Sequence, residues 1–551
     1  MLSTIVSYIP GWAVFGQALV ALLVPLLLGY LYKALYRLVG SGRGQSGFGS
    51  KTLPQSKPAP GEPARPASTP FSGSYTTDLD AVKSGIGGNC DLNIREFTLA
   101  DSQLRGALVC VDGMQDDRLL NMKILQFLMY DVPVPPQSYA EAARQLLPFS
   151  QLNEAASIES FNKSVLFGHG ALLLEGLPCG LLIQLPGGPN RAITEPVSEA
   201  LLRGPRLGFS EVLSENTSML RRQGMNDQLE MKTHRAGRTI QRDIVVAYMK
   251  DIVNPDLLEE VTNRILKIDI DFLAESGYIE QLIEDNYLSP FQQAQNTERP
   301  DRVISALLEG RIAILLDGTP FALIVPVTFS MLLQSPEDYY ERWLPGTLLR
   351  LLRFAASFLA LMAPSLYISF ISFHPGLIPT ELAISIIKTR QGVPFPSLIE
   401  VLILEVAIEI LREAGIRLPK PIGPAMGIVG GLIIGDAAVQ AGIVSPFLVI
   451  VVAVTAISSF SIPMYSAGIT LRILRFAGML FAAVLGMYGT ILFFLLICSH
   501  LTKLKSFGVP YLTPVSPFRL SDWKDLFIRA PLALMKRRPL MMKTRQDKRK
   551  S

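Results

Sequence analysis

Histidine, cysteine and tryptophan are scarce, with 4, 4 and 3 residues in a chain of 551. Cys90, Cys110, Cys179 and Cys498 lie far apart with no C-x-x-C among them, so the pattern is neither that of a disulfide-stapled secreted scaffold nor that of a thiolate zinc site. A reduced, interior-facing location without metal or cofactor is expected. No phosphate-cradling G-x-x-x-x-G-K-[ST] loop occurs and no nucleophile with a partnered base can be read, so an enzyme is not expected. Charge of one sign is also lacking: 51 Lys and Arg against 47 Asp and Glu leave a net +4. The basic residues do not interleave with aromatics along one stretch, which argues against nucleic acid.

What the chain has instead is apolar sequence. Apolar residues make up 49% and charged residues only 18%, the balance of a membrane protein with soluble parts. The first apolar run, ALVALLVPLLLGYLYKALY (residues 18–36), has no Lys or Arg before it and Lys33, Arg37, Arg43 and Lys51 at or beyond its end. A secretory signal would carry its charge first. About 20 residues suffice to span a bilayer, and the charge placement then puts residue 40 onward in the cytoplasm. Tyr30, Tyr32 and Tyr36 leave an interfacial helix open as a second reading. Residues 40–78 carry prolines at 54, 58, 60, 63, 66 and 70 among Gly and Ser, the composition of a flexible linker. GRGQSG within it matches a dinucleotide fingerprint only in letters, because no strand precedes it and no helix follows to receive a pyrophosphate.

From residue 79 to 345 the pattern is α/β. ALLLEGLPCGLLIQLP (171–186) and AILLDGTPFALIVP (313–326) share an apolar run, an acidic-Gly pair, a Pro two positions on and a second apolar run, each a hairpin signal. Each has upstream a buried-strand candidate and a helical pattern: ALVCVDGM before DDRLLNMKILQFLMY, and DIVVAYMKDI before PDLLEEVTNRILKI. The spacing predicts a duplicated unit, two unrelated hairpins being the alternative. The expected organisation is a membrane anchor at 1–39, a linker at 40–78, a first α/β subdomain at 79–189, a connector at 190–223, a second α/β subdomain at 224–345, a helical transmembrane domain at 346–505 and a basic cytoplasmic tail at 506–551. The connector's Arg and Glu residues read either as a salt-bridged link or as a ligand site.

The membrane half has apolar runs at roughly 354–373, 396–411, 421–442, 444–464 and 473–499, with a shorter, interfacial or re-entrant piece at 376–390. The tail KRRPLMMKTRQDKRK sets eight Lys or Arg against one Asp, which places it in the cytoplasm beside anionic lipid. Soluble domain and tail on one side require an even number of crossings between them. In FPSLIEVLILEVAIEILREAG, Glu405 and Glu409 share a helical face and Glu400 lies roughly 140° from Glu405. Carboxylates at that depth must face protein, water or each other. They form either a cation-attracting vestibule or the solvated side of an interfacial helix in which Arg412 pairs with Glu409. In PIGPAMGIVGGLIIGDAAVQAG, Gly423, Gly427, Gly431 and Gly435 recur at every fourth position, a packing ladder for a neighbouring helix. Asp436 and Gln440 project from roughly the opposite face, either as a charged ring lining the path of a homo-oligomeric channel or as a structural pair in a monomeric bundle.

Three blocks carry a family resemblance: TEPVSEALLRGPRLGFSEVLSENTSMLRR, QGVPFPSLIEVLILEVAIEILREAGIRLPKPIGPAMGIVGGLIIGDAAVQAGIVSP and SSFSIPMYSAGITLRILRF. They resemble the signature blocks of the GerA family of spore germination proteins, specifically the A subunit of the germinant receptor. The resemblance implies a multi-pass protein of the endospore inner membrane that works with a permease-like B subunit and a lipoprotein C subunit. It also implies an oligomeric, nutrient-gated cation channel. An accessory spore channel resembling the stage V sporulation protein AF, and a secondary transporter, are the alternatives; the latter predicts an inverted repeat in the membrane half, which is not seen.

Overall fold

The computed structural model of the chain describes residues 69–99, 104–116, 119–130, 141, 151–184, 195–196, 198–417 and 435–549. The N-terminal apolar run, the linker as far as residue 68, and Gly423, Gly427 and Gly431 lie outside them.

The first α/β unit opens with α1 (Tyr75–Ile86) and contains β1 (Leu92–Thr98), β2 (Arg105–Val111), β3 (Gln151–Ala155), α2 (Ile158–Leu166), β4 (Gly170–Leu174) and β5 (Gly180–Gln184). After α3 (Leu213–Gln223), the second contains β6 (Leu229–Ala236), β7 (Arg242–Met249), α4 (Pro255–Leu266), α5 (Ser276–Ile283), β8 (Gln295–Thr297), α6 (Pro300–Leu308), β9 (Ile312–Leu316) and β10 (Ala322–Val325). The sheet orders are β1-β2-β4-β5-β3 and β6-β7-β9-β10-β8, the same topology twice, with antiparallel pairing throughout. The two quoted hairpins therefore occupy corresponding places, β4–β5 and β9–β10. Their acidic-Gly pairs mark the turns: Gly176 and Gly318 both have φ +87°, a conformation an L side chain rarely adopts.

These strands read as unbroken apolar runs because both faces are covered. In the first unit Ala107, Val109, Ala171 and Leu173 meet α1 and α2, whereas Leu108, Cys110, Leu172 and Leu174 meet the segment around Ile124 and Leu128. In the second, Ile244, Val246, Ile314 and Leu316 meet α4 and α5, and the alternate residues Val245, Ala247, Ala313 and Leu315 meet Val303 and Leu307 of α6 and Leu220 of α3. The period-2 direction of strand side chains supplies both layers from one sequence.

One boundary differs from that suggested by the sequence, and two segments carry contacts that composition does not show. Residues 69–78 belong to the first unit rather than to the linker: Phe71 and Tyr75 are buried, and Thr69 donates to Glu159 from its backbone and its hydroxyl. The connector is structured, with α3 packed into the second unit and Glu199 bound to Arg302 at 2.8 Å. Of its described charges, Glu195, Glu199, Arg203, Arg206 and Arg221 stand in ion pairs. The tail folds back on the second unit: Arg538 donates to the Leu308 carbonyl at 2.8 Å, Arg549 pairs with Glu309 at 3.1 Å, and Met542 is buried in that unit's core.

The helical half comprises α7 (Trp343–Ser372), α8 (Thr380–Arg390), α9 (Ser397–Arg417), α10 (Pro446–Phe460) and α11 (Tyr465–Lys503). By length and composition α7 and α11 are apolar enough to cross a membrane. α11 is not straight. Gly486 has φ 60° and ψ −138°, and the Phe481 and Phe493 ring centroids are 5.4 Å apart, although twelve residues of continuous helix would hold their backbones roughly 18 Å apart. The element folds back at Gly486 as a helical hairpin. Both ends return to the second α/β unit: Thr470 donates to the Pro290 carbonyl at 2.6 Å, and His500 lies 2.8 Å from the Ser289 hydroxyl. One apolar run of the sequence is therefore an out-and-back pair, and it brings the chain to the soluble unit where the tail docks.

Two outcomes test this fold. Arg221 is 1% exposed and joins the units, binding Asp91 at 2.7 and 3.0 Å, Asn89 at 2.7 Å and the Leu229 carbonyl. Arg221→Met strands the Asp91 carboxylate and should cost about 3–5 kcal/mol, read by chemical denaturation of the purified chain. Glu280 on α5 is pushed up to about 8 by burial and by the nearby Glu284 and Glu275 carboxylates. The folded state thus holds its proton after the unfolded chain has lost it, so stability from this group is full below the ordinary carboxylate range and is lost as pH rises through about 8. Melting temperature should fall less between pH 5 and pH 8 in Glu280→Gln than in the parent; parallel curves would refute this.

Candidate functional site

The charges of α9 are placed by the 3.6-residue helical period. Glu405 and Glu409 stand one turn apart and face the first arm of α11, where Arg472 and Arg475 also stand about one turn apart. Arg475 lies 2.8 Å from Glu405 and 3.1 Å from Glu409, Arg472 lies 2.9 Å from Glu409, and Arg412 lies 3.2 Å from Glu409. The Glu405 and Arg475 side chains are each 1% exposed. Arg412 also sits over the Phe460 ring at 4.5 Å, where the negative face of the ring attracts a cation. The expected Arg412–Glu409 pair is present, as one edge of a five-residue network.

Glu400 points elsewhere, as its offset on the helix requires. It accepts from the Ser445 backbone N–H at 2.6 Å, lies 3.3 Å from Arg390 and 3.4 Å from the Tyr367 hydroxyl, and is fully buried. Ser445 caps α10, its hydroxyl accepting from Leu448 N–H at 3.4 Å, so the carboxylate sits where the helix leaves unpaired donors and a partial positive charge. One side chain thereby joins α7, α8, α9 and α10. Glu400 and Glu405 are given protein cations within the single chain, and Glu409 alone of the three remains partly exposed.

Asp436 and Gln440 are exposed and bound to each other, the amide donating to the carboxylate at 2.7 Å. Gly435 is buried, and a Cβ there would meet Val449 of α10 at 3.5 Å. The described end of the glycine ladder thus packs on a helix of its own chain and turns its polar residues outward.

Sequence reasoning did not place Arg390, Arg472, Arg475, Tyr367 or Ser445 in a site. The signal for two of them was present: two arginines three apart in an apolar helix require carboxylates, and Glu405 and Glu409 offered the matching spacing.

A second network joins this bundle to the soluble unit. Arg350 of α7, with no exposed surface, binds Asp338 at 3.3 Å and the Asp525 carboxylate and carbonyl at 2.8 Å each. Arg353 also pairs with Asp338, and Tyr339 donates to Asp525 at 2.7 Å. The end of the second α/β unit, the first long helix and the C-terminal segment meet at this point.

Residues 80–541 match the model of the family described as Bacillus/Clostridium GerA spore germination protein. Spore germination protein GerLA of Bacillus cereus is 42% identical over 85% of this chain and 96% of its own length. Spore germination protein B1 of Bacillus subtilis is likewise 42% identical over 85% of this chain and 96% of its own, and Bacillus subtilis spore germination protein KA is 40% identical over 85% and 87%. A crystal structure of the N-terminal domain of the A subunit of the Bacillus megaterium spore germinant receptor GerK3 aligns at 28% identity and TM-score 0.38, over 48% of this chain and 98% of that one.

The charge cluster makes its own prediction. Arg475→Met leaves Glu405 buried without its cation and should destabilise the bundle by about 3–5 kcal/mol. Adding Glu405→Gln should recover part of that loss, as read by thermal melting in detergent; a double variant no more stable than the single one would show that the pair is not coupled.

Proposed function

The chain belongs to the GerA family of spore germination proteins, and on that footing we propose that it is the A subunit of a spore germinant receptor and forms the ion path of an oligomeric, nutrient-gated cation channel. The observation that carries the receptor reading is the match of residues 80–541, at 42% identity to named spore germination proteins. In this reading the protein is a non-catalytic, multi-pass component of the endospore inner membrane, with its α/β domain in the cytoplasm. A permease-like B subunit senses the nutrient and a lipoprotein C subunit completes the receptor.

The channel reading is supported by how the acids divide. Glu400 and Glu405 are neutralised inside the chain and act as struts, whereas Asp436 and Gln440 face outward from a single chain beside apolar helices. An outward carboxylate at that place needs water or a neighbouring subunit. Around a symmetric ring both needs are met, and repeated carboxylates favour cations. Exposed Ile450, Val454, Ile457, Val484 and Leu495 supply lipid- or subunit-facing surface. Displacement of the soluble unit would reach α7 through Arg350, and α9 through α7 and α10.

Asp436→Asn keeps volume and hydrogen-bonding reach while removing charge. In vesicles reconstituted with the whole receptor it should slow cation release and weaken discrimination against anions, with receptor abundance on immunoblots unchanged. Gly431→Leu should instead lower receptor abundance on the same immunoblots, through an overpacking clash of about 1–3 kcal/mol on the ladder face. Unaltered flux and selectivity in Asp436→Asn would remove that residue from the ion path.

A further inference from the structure

At the soluble-side end of the α11 hairpin is an open cavity of about 540 Å³ between α4, the loop after α5 and the turn that follows Lys503. Its two carboxylates are already used: Glu260 lies 2.7 Å from Arg264, and Asp285 pairs with the same guanidinium. The remaining charge is basic. Lys503 and Lys505 line the cavity, both are exposed, and the ion pairs among the described residues leave them without an acidic partner. Phe507 forms an apolar wall beneath Arg264, its ring centroid 4.4 Å from the guanidinium carbon. It holds a left-handed backbone at φ 48°, in the turn between β11 (Lys505–Ser506) and β12 (Val509–Pro510). That two-stranded turn fixes Lys505 beside the helix end.

The loop on the cavity's other side has a matching character. Tyr287 and Leu288 follow the lining residue Asn286 and are 80% and 78% exposed. The loop is not loose: Ser289 meets His500 of one hairpin arm and Pro290 accepts from Thr470 of the other, so these two apolar side chains are held outward at the level where both arms emerge. An aromatic and an aliphatic side chain beside unpaired lysines at the end of apolar helices suit the headgroup layer of a bilayer.

We propose that this cavity binds the headgroup of an anionic phospholipid, with Lys503 and Lys505 on its phosphate and Tyr287 and Leu288 in the adjoining acyl boundary. Within the tail, Arg538 and Arg549 are engaged with the second α/β unit. The inference needs the α11 hairpin to lie in the membrane and is independent of whether the protein conducts ions.

The test is native mass spectrometry of the full chain in detergent with added dioleoyl-phosphatidylglycerol or dioleoyl-phosphatidylcholine, and with inorganic phosphate as competitor. The parent should retain the anionic lipid in preference to the zwitterionic one. Lys503→Gln with Lys505→Gln should weaken that binding by roughly fivefold per lysine and leave the zwitterionic lipid unaffected. Replacing both lysines by Arg should restore the preference, and Lys536→Gln with Lys548→Gln on the tail should leave it intact. Equal retention of the two lipids, an unchanged affinity in the Lys503/Lys505 double variant, the same loss in the tail variant, or displacement by inorganic phosphate at lipid-equivalent concentration would each overturn the proposal.

Discussion

A guanidinium removed from water must be met by carboxylates or carbonyls, and among the described residues four arginines with under 2% exposure impose this requirement on distant parts of the chain. Arg221 ties α3 to the first α/β unit through Asp91. Arg299 holds the connector by the carbonyls of Pro205 and Glu199. Arg350 joins α7 to Asp338 before it and Asp525 well after it, and Arg475 locks the α11 hairpin to α9. Breaking any one leaves a buried charge without its counter-ion, so each joint is intolerant of being half-made. Hydrophobic packing could hold the same surfaces together, but it would accept small slides that an ion pair of fixed geometry does not.

That distribution matters for a chain that couples two α/β units to helices apolar enough to cross a membrane. The two α/β units are joined by the buried Arg221–Asp91 pair, the second unit is bound to the start of α7, and both ends of the α11 hairpin rest on the loop at residues 289–291. The α/β part therefore meets the helices at defined points. Inside the bundle, Glu400 gathers four helices at one carboxylate and the Glu405–Glu409–Arg475 group joins α9 to α11.

The acids of α9 illustrate how a residue's chemistry and its role separate. Glu400, Glu405 and Glu409 come from one helix with similar apolar neighbours in sequence, yet one caps a helix, one is sealed in a salt bridge and one remains partly open to solvent. Helical phase assigned them to different directions. What waits in each direction is supplied by segments remote in the chain.

The sequence by itself determined the duplicated α/β unit, because apolar runs closed by acidic-Gly turns encode strands and a positive φ locally, and the repeat of that pattern is independent of packing. It likewise determined the presence of the apolar helices, the angular split between Glu400 and the Glu405/Glu409 pair, and the membership of a family through blocks kept in order. Only tertiary structure decided that α11 doubles back at Gly486, since a glycine inside an apolar run is compatible with both a straight helix and a hairpin. It alone decided that residues 69–78 and the basic tail are parts of folded units, because composition reports the cost of ordering a segment and not the partner that offsets it. Finally, it decided which buried charges meet: electrostatic need is legible in each arginine and glutamate, whereas complementarity depends on distances between segments that, for Arg221 with Asp91 and Arg350 with Asp525, lie more than a hundred residues apart.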